Sequence, residues 1–259
     1  MDTNANNNRE SFEDQQVIFV DTHLIQKAVE GLQRAREEFQ TLLEQAEGGD
    51  ASVYYDLGVR YTEGDGTDKD PAQAARWFAL ASEDGDLRAT DLLGRCYQSG
   101  AGVEKDEARA AELFQQAAEQ DYAPAMCNLA VCYEEGIGTP SDPHQAVELY
   151  RRAAEYGSTR AQRLLARCCD RGIGMDRRDP AQAVEWLRMA ALQGDTVCQT
   201  LLAKHHEFGD GVEQDPELSV RWYRRAAEGG EPEAKCCLGW LMEHGKWADR
   251  DPEGAVELY

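Results

Sequence analysis

The chain of 259 residues has no long apolar segment and no excess of positive charge. No stretch approaches the roughly 18 consecutive apolar residues that a membrane-spanning helix needs. Lysine and arginine number 27 against 49 aspartates and glutamates, which gives a formal net charge of −22 at pH 7. Without a basic face to neutralise phosphates, the sequence argues against nucleic acid as a partner and against an anionic membrane surface.

The N-terminus also lacks the features of a secretory signal. It has no basic segment followed by an apolar segment, so we expect a cytoplasmic protein. Residues 1–14 are polar and rich in asparagine, and we expect them to be disordered. In residues 15–49, apolar residues from Leu24 to Ala46 form one stripe, which predicts an N-terminal capping helix.

Catalytic motifs are missing as well. Nothing resembles a Ser-His-Asp triad, a carboxylate pair or a nucleophile elbow, so we expect no enzyme, no catalytic residue and no cofactor. Several Gly-x-Gly loops are present. They follow helical segments and lack both the preceding strand and the Lys-Ser/Thr of a phosphate-binding loop, which indicates turns.

The chain does contain a sequence motif that recurs six times, at a spacing of 36 or 37 residues. It reads Leu-Gly-x-x-Tyr-x-x-Gly-x-Gly, followed by Asp-Pro and an Ala-rich segment. The glycine that opens the loop stands at Gly64, Gly100, Gly136, Gly172, Gly209 and Gly245. A fixed period of this size indicates a solenoid, in which each unit buries its apolar face against its neighbours.

Each unit contains two apolar segments with helical spacing. In the second unit the first segment places these residues on one face: Ala89, Leu92, Leu93, Cys96 and Tyr97. The second segment does the same with Ala110, Leu113, Phe114, Ala117 and Ala118. We call these segments helix A and helix B. An Asp that can act as N-cap precedes every helix B, and Pro follows it in five of the six units, as helix starts favour.

This pattern resembles the Sel1-like repeat, a relative of the tetratricopeptide repeat. The resemblance covers residues 50–259, with units at about 50–85, 86–121, 122–157, 158–194, 195–230 and an incomplete 231–259. It implies an all-α, α/α superhelical solenoid whose A helices line the concave side, and an adaptor or scaffold role without catalysis. Two departures are visible: Trp247 replaces a loop glycine in the sixth unit, and the fourth unit has one extra loop residue.

The eight cysteines all fall in A helices. Some secreted Sel1-like proteins pair a helix A cysteine with one in helix B, and helix B has none here. Stacked helices lie about 8–10 Å apart, beyond the ~7 Å limit between the Cα atoms of a disulfide. We therefore expect free thiols in a reducing compartment.

A zinc site is conceivable at Cys168-Cys169 and His205-His206, which occupy equivalent positions in adjacent units. Four such side chains form a common zinc ligand set. However, adjacent residues on a helix point about 100° apart. The sequence therefore favours core packing for both pairs, and we expect no metal ion.

Partner binding would need the face of helix A opposite its apolar stripe. We expect that face three residues before, one after and four after the second residue of each Leu-Gly or Leu-Ala pair. These positions hold Tyr55, Val59, Thr62; Asp91, Arg95, Gln98; Cys127, Val131, Glu134; Arg163, Arg167, Asp170; Thr200, Lys204, Glu207; Cys236, Trp240, Glu243. The candidate binding residues among them are Tyr55, Arg95, Arg163, Arg167, Lys204 and Trp240.

The candidates are of two kinds. A cationic track in this acidic protein is formed by Arg95, Arg163, Arg167 and Lys204. Tyr55 and Trp240 are apolar residues on a face that we expect to be exposed to solvent. Arginine and tryptophan are typical interface anchors. The alternative is that the arginines pair with neighbouring acids and that Trp240 packs on a further unit.

Together these features predict a non-catalytic scaffold that binds a protein, or an acidic or extended peptide segment, in its concave groove. Two alternatives stay open. The chain stops at Tyr259, within helix B of the sixth unit, so it could be the targeting arm of a larger protein with a catalytic domain beyond that residue. The cysteines and histidines could instead form a metal or redox sensor.

Overall fold

The computed structural model describes residues 22–259, and these residues are helical without a strand. The helices are α1 (Thr22–Glu47), α2 (Tyr54–Glu63), α3 (Pro71–Glu83), α4 (Leu87–Ser99), α5 (Glu107–Ala118), α6 (Ala123–Glu135), α7 (Pro143–Glu155), α8 (Thr159–Arg171), α9 (Pro180–Leu192), α10 (Thr196–Phe208), α11 (Pro216–Glu228), α12 (Pro232–His244) and α13 (Pro252–Leu258), with a 3₁₀ turn at Ala51–Val53. The even-numbered helices are the A helices of units one to six, and each is followed by its helix B. This confirms the expected all-α repeat fold.

Residues 1–14, expected to be disordered, and residues 15–21 lie outside the described residues. Between residues 22 and 259, no helix is both long and apolar enough to cross a membrane.

The helices begin and end at the residues that the capping pattern indicates. The Asp70 carboxylate accepts hydrogen bonds from the backbone N–H groups of Ala72 and Gln73, both at 3.0 Å. An equivalent Asp cap opens every helix B: Asp70, Asp106, Asp142, Asp179, Asp215 and Asp251. Each such cap stabilises a helix by about 1 kcal/mol. Each helix A ends at a glycine in the left-handed conformation, such as Gly100 at φ 76°.

The core lies between the layers of A and B helices. Every helix A contacts its own helix B and the helix B of the preceding unit, so the stack is continuous. The leucine of the repeated sequence motif is buried in each unit: Leu57, Leu93, Leu129, Leu165, Leu202 and Leu238. Large rings such as Phe114 and Tyr150 are fully buried, and each contributes roughly 1.5–3 kcal/mol of hydrophobic stabilisation.

Consecutive units are tied together by the second loop glycine. A Cβ atom on Gly102 would overlap the backbone of Pro71, the first residue of α3, so no other residue fits this contact. Gly66 of the first unit lies in the same way on the backbone of Ala35 in α1. The C-terminal half of α1 therefore takes the place of a helix B ahead of the first unit, which is the capping role expected for it.

The sixth unit breaks this rule at Trp247. The residue keeps the left-handed backbone of the glycines it replaces, with φ 62°, although this conformation is unfavourable for a residue with a Cβ. Its ring stays 37% exposed and lies 4.0 Å from the Lys246 ammonium.

Candidate functional site

The exposed face of helix A is a ridge that recurs in all six units. It is formed by the second, sixth, ninth and thirteenth residues after the N-cap, which lie within an arc of about 60° on a helix. This helix A ridge comprises Ser52, Asp56, Val59, Glu63; Arg88, Leu92, Arg95, Ser99; Pro124, Asn128, Val131, Glu135; Arg160, Leu164, Arg167, Arg171; Val197, Leu201, Lys204, Phe208; Glu233, Cys237, Trp240, His244. None of these residues is buried.

The expected face overlaps this ridge at only one position per unit, the one that includes Arg95 and Trp240. The other two positions turn towards the following unit. Four of the residues expected to be exposed are buried, and for them the expectation was wrong: Asp91, Cys127, Thr200 and Glu207. The face opposite the apolar stripe does point outwards, but the adjacent unit covers one flank of it.

Sequence reasoning missed the other three positions of the ridge. The missed residues include Arg160, Arg171 and Phe208, whose ring is 69% exposed. A signal for the position of Arg160 exists in the repeat itself, because the second position after the N-cap never carries an aromatic or leucine side chain in the six units.

Three residues of the cationic track form ion pairs between units. Arg167 Nη2 donates to both carboxylate oxygens of Glu134, at 2.6 Å, and so links α8 to α6. Arg163 Nη1 lies 3.0 Å from Asp195 Oδ2 and links α8 to the start of α10. Lys204 pairs with Glu233 of the sixth unit. These three side chains therefore stabilise the stack as well as lining its surface.

Tyr55 also takes part in a contact between units, since the Arg88 guanidinium lies 4.0 Å from the centre of its ring. Such cation–π contacts contribute about 0.5–1 kcal/mol at exposed sites. Arg95 differs from the other candidates. It is exposed, and its guanidinium makes no ion pair or hydrogen bond with any residue from 22 to 259.

Trp240 is 44% exposed. Its ring stacks on His244 with 4.5 Å between the ring centroids, and the Lys246 ammonium lies 5.4 Å from it. These two neighbours restrain the orientation of the partly exposed ring.

A pocket of about 600 Å³ lies at the junction between the first and second units. Its lining includes the apolar side chains of Val59, Phe78 and Leu92 together with Tyr55 and Arg95. The two candidates Tyr55 and Arg95 are thus brought together.

An equivalent pocket of about 310 Å³ lies at the junction between the fifth and sixth units. Its lining occupies the same repeat positions: Tyr223 corresponds to Phe78, Cys237 to Leu92 and Trp240 to Arg95. Lys204 and Phe208 complete it. Lys204 and Trp240 therefore meet here, four units away from Tyr55 and Arg95.

Polar bridges occupy the central junctions instead. Asn128 donates to Asp91 at 2.7 Å and accepts from Arg160 at 2.7 Å, which connects units two, three and four. Burial raises the pKa of Asp91, although the hydrogen bond from Asn128 opposes this shift. At the next junction Glu134 accepts hydrogen bonds from Arg167 and from Tyr150.

All eight cysteines are unpaired thiols. Cys168 and Cys169 are fully buried, and burial raises the pKa of each to about 11. Such thiols stay protonated at neutral pH, which makes them poor metal ligands and poor nucleophiles. Burial also lowers the pKa of His206. The two pairs considered for a zinc site do not converge. Within residues 22–259 the one close group of three possible ligands is Asp170, His205 and Asp210.

Comparison with known families completes this description. The Sel1 repeat model matches residues 51–86, 88–122, 123–158, 159–195, 196–231 and 232–259. The chain belongs to the Sel1 repeat family. Sel1 repeat proteins are generally non-catalytic scaffolds for protein–protein interaction. A search among curated proteins finds no match to this chain.

Solved structures of Sel1 repeat proteins are similar to it. The protective antigen c5321 from uropathogenic Escherichia coli is 32% identical over 93% of this chain, with a TM-score of 0.77, and this chain spans 55% of its length. A Sel1 repeat protein from Oxalobacter formigenes is 28% identical over 85% of this chain and 94% of its own, with a TM-score of 0.72. The immunity protein Pa5087 from Pseudomonas aeruginosa shares the fold, at 19% identity, a TM-score of 0.51, and coverage of 81% and 80%.

Proposed function

We propose that this Sel1 repeat protein binds a partner protein, or an extended peptide, along the helix A ridge and in the concave groove that the family resemblance implies. The observation that carries the proposal is the pair of equivalent pockets at the first and last junctions. Both use the same repeat positions. Each combines apolar lining residues with an exposed side chain, Arg95 in the first pocket and Trp240 in the second. A partner that occupies both would be held in one register.

The two pockets favour different chemistry in the partner. In the first, the unpaired guanidinium of Arg95 shares the pocket lining with apolar side chains. This arrangement suits a carboxylate next to an apolar side chain. In the second, the exposed rings of Phe208 and Trp240 suit an apolar or aromatic anchor. An extended segment with an acidic residue near one end and an aromatic residue near the other would satisfy both.

The proposed setting is the cytoplasm. Free thiols persist in a reducing compartment, and eight of them are present here. The net charge of this protein is −22, so it would repel an acidic partner on its way to Arg95. Specific contacts, and not long-range attraction, would therefore dominate its affinity, since like charges slow encounter.

Selection from a library of short displayed peptides tests the proposal. Peptides enriched on the wild-type chain should bind Arg95→Glu and Trp240→Ala at least about tenfold more weakly, a loss of about 1.4 kcal/mol. Arg76→Glu is the matched control, because Arg76 is an exposed arginine on α3, away from the ridge. Peptides that bind all three variants with wild-type affinity would refute the proposed site.

Arg163 and Arg167 are less suitable for this test. Changing them to Glu would place carboxylates beside Asp195 and Glu134, their present partners. Like charges at these distances destabilise the junctions between units. A loss of binding could then follow from a loss of structure.

A further inference from the structure

The junction between the fourth and fifth units carries polar groups where the three preceding units are apolar. His205 of α10 and Asp210 in the loop after it stand where the second, third and fourth units have the pairs Cys96 and Ala101, Cys132 and Ile137, and Cys168 and Ile173. Asp170, at the end of α8, faces them from the preceding unit. Possible ligand atoms of Asp170, His205 and Asp210 all lie within 4.8 Å of one another.

His205 is oriented like the histidine of a metal site. Its side chain is only 9% exposed, and its Nδ1 lies 2.7 Å from the backbone carbonyl oxygen of Asp210. A carbonyl oxygen can only accept, so Nδ1 carries the hydrogen and donates it. Histidines that bind metals usually fix their second nitrogen in this way.

The other nitrogen, Nε2, faces the cluster and has no hydrogen-bond partner in the part of the chain that the structure describes. It lies 3.9 Å from Asp170 Oδ1, beyond hydrogen-bond distance. In the neutral ring, Nε2 presents a lone pair towards a carboxylate. Two groups that both offer electrons are stabilised when a positive species lies between them.

Arg178 supplies part of that positive charge. Its guanidinium donates to Asp170 Oδ1 at 2.7 Å and also to Asp210, and these hydrogen bonds raise the pKa of Arg178. Its hydrogen bonds go to Asp170 and Asp210 and leave the Nε2 lone pair of His205 without a donor. Arg178 stands in the loop with the extra residue, and its side chain is 49% exposed. Turning into solvent would cost it three hydrogen bonds, to the carboxylate and backbone carbonyl of Asp170 and to Asp210, and an entering cation would replace its positive charge between the carboxylates.

We propose that Asp170, His205 and Asp210 bind a divalent transition-metal ion such as Zn²⁺, and that Arg178 turns away as the ion enters. One imidazole and two carboxylates suit this class of ion. Three protein ligands leave a position for water or for a group from a partner. Because the ligands come from two units, the bound ion ties α8 to α10 and fixes the fourth junction.

Titration of the 259-residue protein with Zn²⁺ in a calorimeter at neutral pH tests the proposal. One site per chain is expected. His205→Leu, which copies Leu241 of the sixth unit, and Asp210→Asn should each weaken binding at least tenfold. Arg178→Gln should strengthen it several-fold by removing the competing cation. Zn²⁺ should raise the Tm of the wild type and leave that of His205→Leu unchanged.

Control variants separate this site from other ligands. His244→Ala and Cys236→Ser should bind Zn²⁺ like the wild type, and the Co²⁺ complex should lack the intense near-ultraviolet absorption of thiolate ligands. Folding of each variant is checked by its far-ultraviolet circular dichroism. The proposal is overturned if Arg178→Gln binds no Zn²⁺, if folded Asp210→Asn binds it as tightly as the wild type, or if the Co²⁺ spectrum shows thiolate ligation.

Discussion

The hydroxyl of Tyr223 donates a hydrogen bond to Glu207 at 2.9 Å, from helix B back to helix A of the same unit. Tyr150 and Glu134 form the same bond, also at 2.9 Å. Where helix B has no tyrosine at this position, helix A has no glutamate at the position of Glu207. The pairs in these units are Thr62 with Phe78, Gln98 with Phe114, and Asp170 with Leu187. Leu187 cannot donate a hydrogen bond, so the Asp170 carboxylate is left to face Arg178 and His205 instead.

Tyr223→Phe should therefore destabilise the protein more than Tyr150→Phe. Glu207 is only 9% exposed, and an unsatisfied buried acceptor costs about 1–3 kcal/mol. Glu134 keeps its bonds to Arg167, so the cost there should be about 1 kcal/mol. Urea denaturation gives both values.

Adding Glu207→Gln to Tyr223→Phe recreates the pair found in the second unit, Gln98 with Phe114. The double variant should recover most of the lost free energy of unfolding. If Tyr223→Phe and Tyr150→Phe were equally stable, the hydrogen bond to Glu207 would contribute no more to the free energy of unfolding than the hydrogen bond to Glu134.

Gly94→Ala should destabilise the second unit by overpacking. A Cβ atom at this position would lie 2.6 Å from Cε1 of Phe114, and extra atoms in a filled core cost typically about 1–3 kcal/mol. The fourth unit has Ala166 with Leu187 at the equivalent positions. Phe114→Leu added to Gly94→Ala should therefore cost less than the sum of the two single changes, as a double-mutant cycle measures. Strict additivity would contradict this account.

Asp91→Asn should stabilise the protein at neutral pH. Burial raises the pKa of Asp91 above its ordinary value of 3.8, so the folded state holds this proton more tightly than the unfolded state does. Stability then falls as pH rises through the folded pKa. Asparagine removes this penalty and can still accept from Asn128. The gain in Tm should be present at pH 7 and vanish below about pH 3, where the aspartate is protonated in both states. A variant that is less stable at every pH would exclude this assignment.

Cys236 should be the single thiol that reacts rapidly with a disulfide reagent under native conditions. It is exposed, five other cysteines are buried, and Cys96 and Cys237 are half-buried. Burial raises the pKa of both half-buried thiols, which keeps them protonated and slow. Cys236→Ser should abolish the fast phase, and denaturant should release the remaining thiols. Several fast thiols would revive the redox-sensor alternative.

The fold could be predicted from sequence because its determinants are local and repeated. The caps at Asp70 and its equivalents, the loop glycines and the buried leucines each act within one unit or its nearest neighbour. The candidate binding face was harder to predict than the fold, because a helical wheel does not show which flank of helix A the next unit covers. Thr200 is buried and Phe208 is exposed, and a helical wheel of α10 indicates neither.

The cluster around His205 escaped prediction for a different reason. Its three members come from two units and from different repeat positions, whereas adjacent pairs such as Cys168-Cys169 are conspicuous in the sequence. A signal was nevertheless available. Aligning the units shows His205 and Asp210 at positions that hold Cys together with Ala or Ile in the second, third and fourth units.

The place of α1 gives the described stack one more B helix than A helices. Because α1 serves as a helix B, residues 22–259 hold seven helices in the B layer and six in the A layer. Each of these A helices therefore lies between two B helices. A destabilising change in one A helix should for this reason weaken the packing of two B helices, one in its own unit and one in the unit before it.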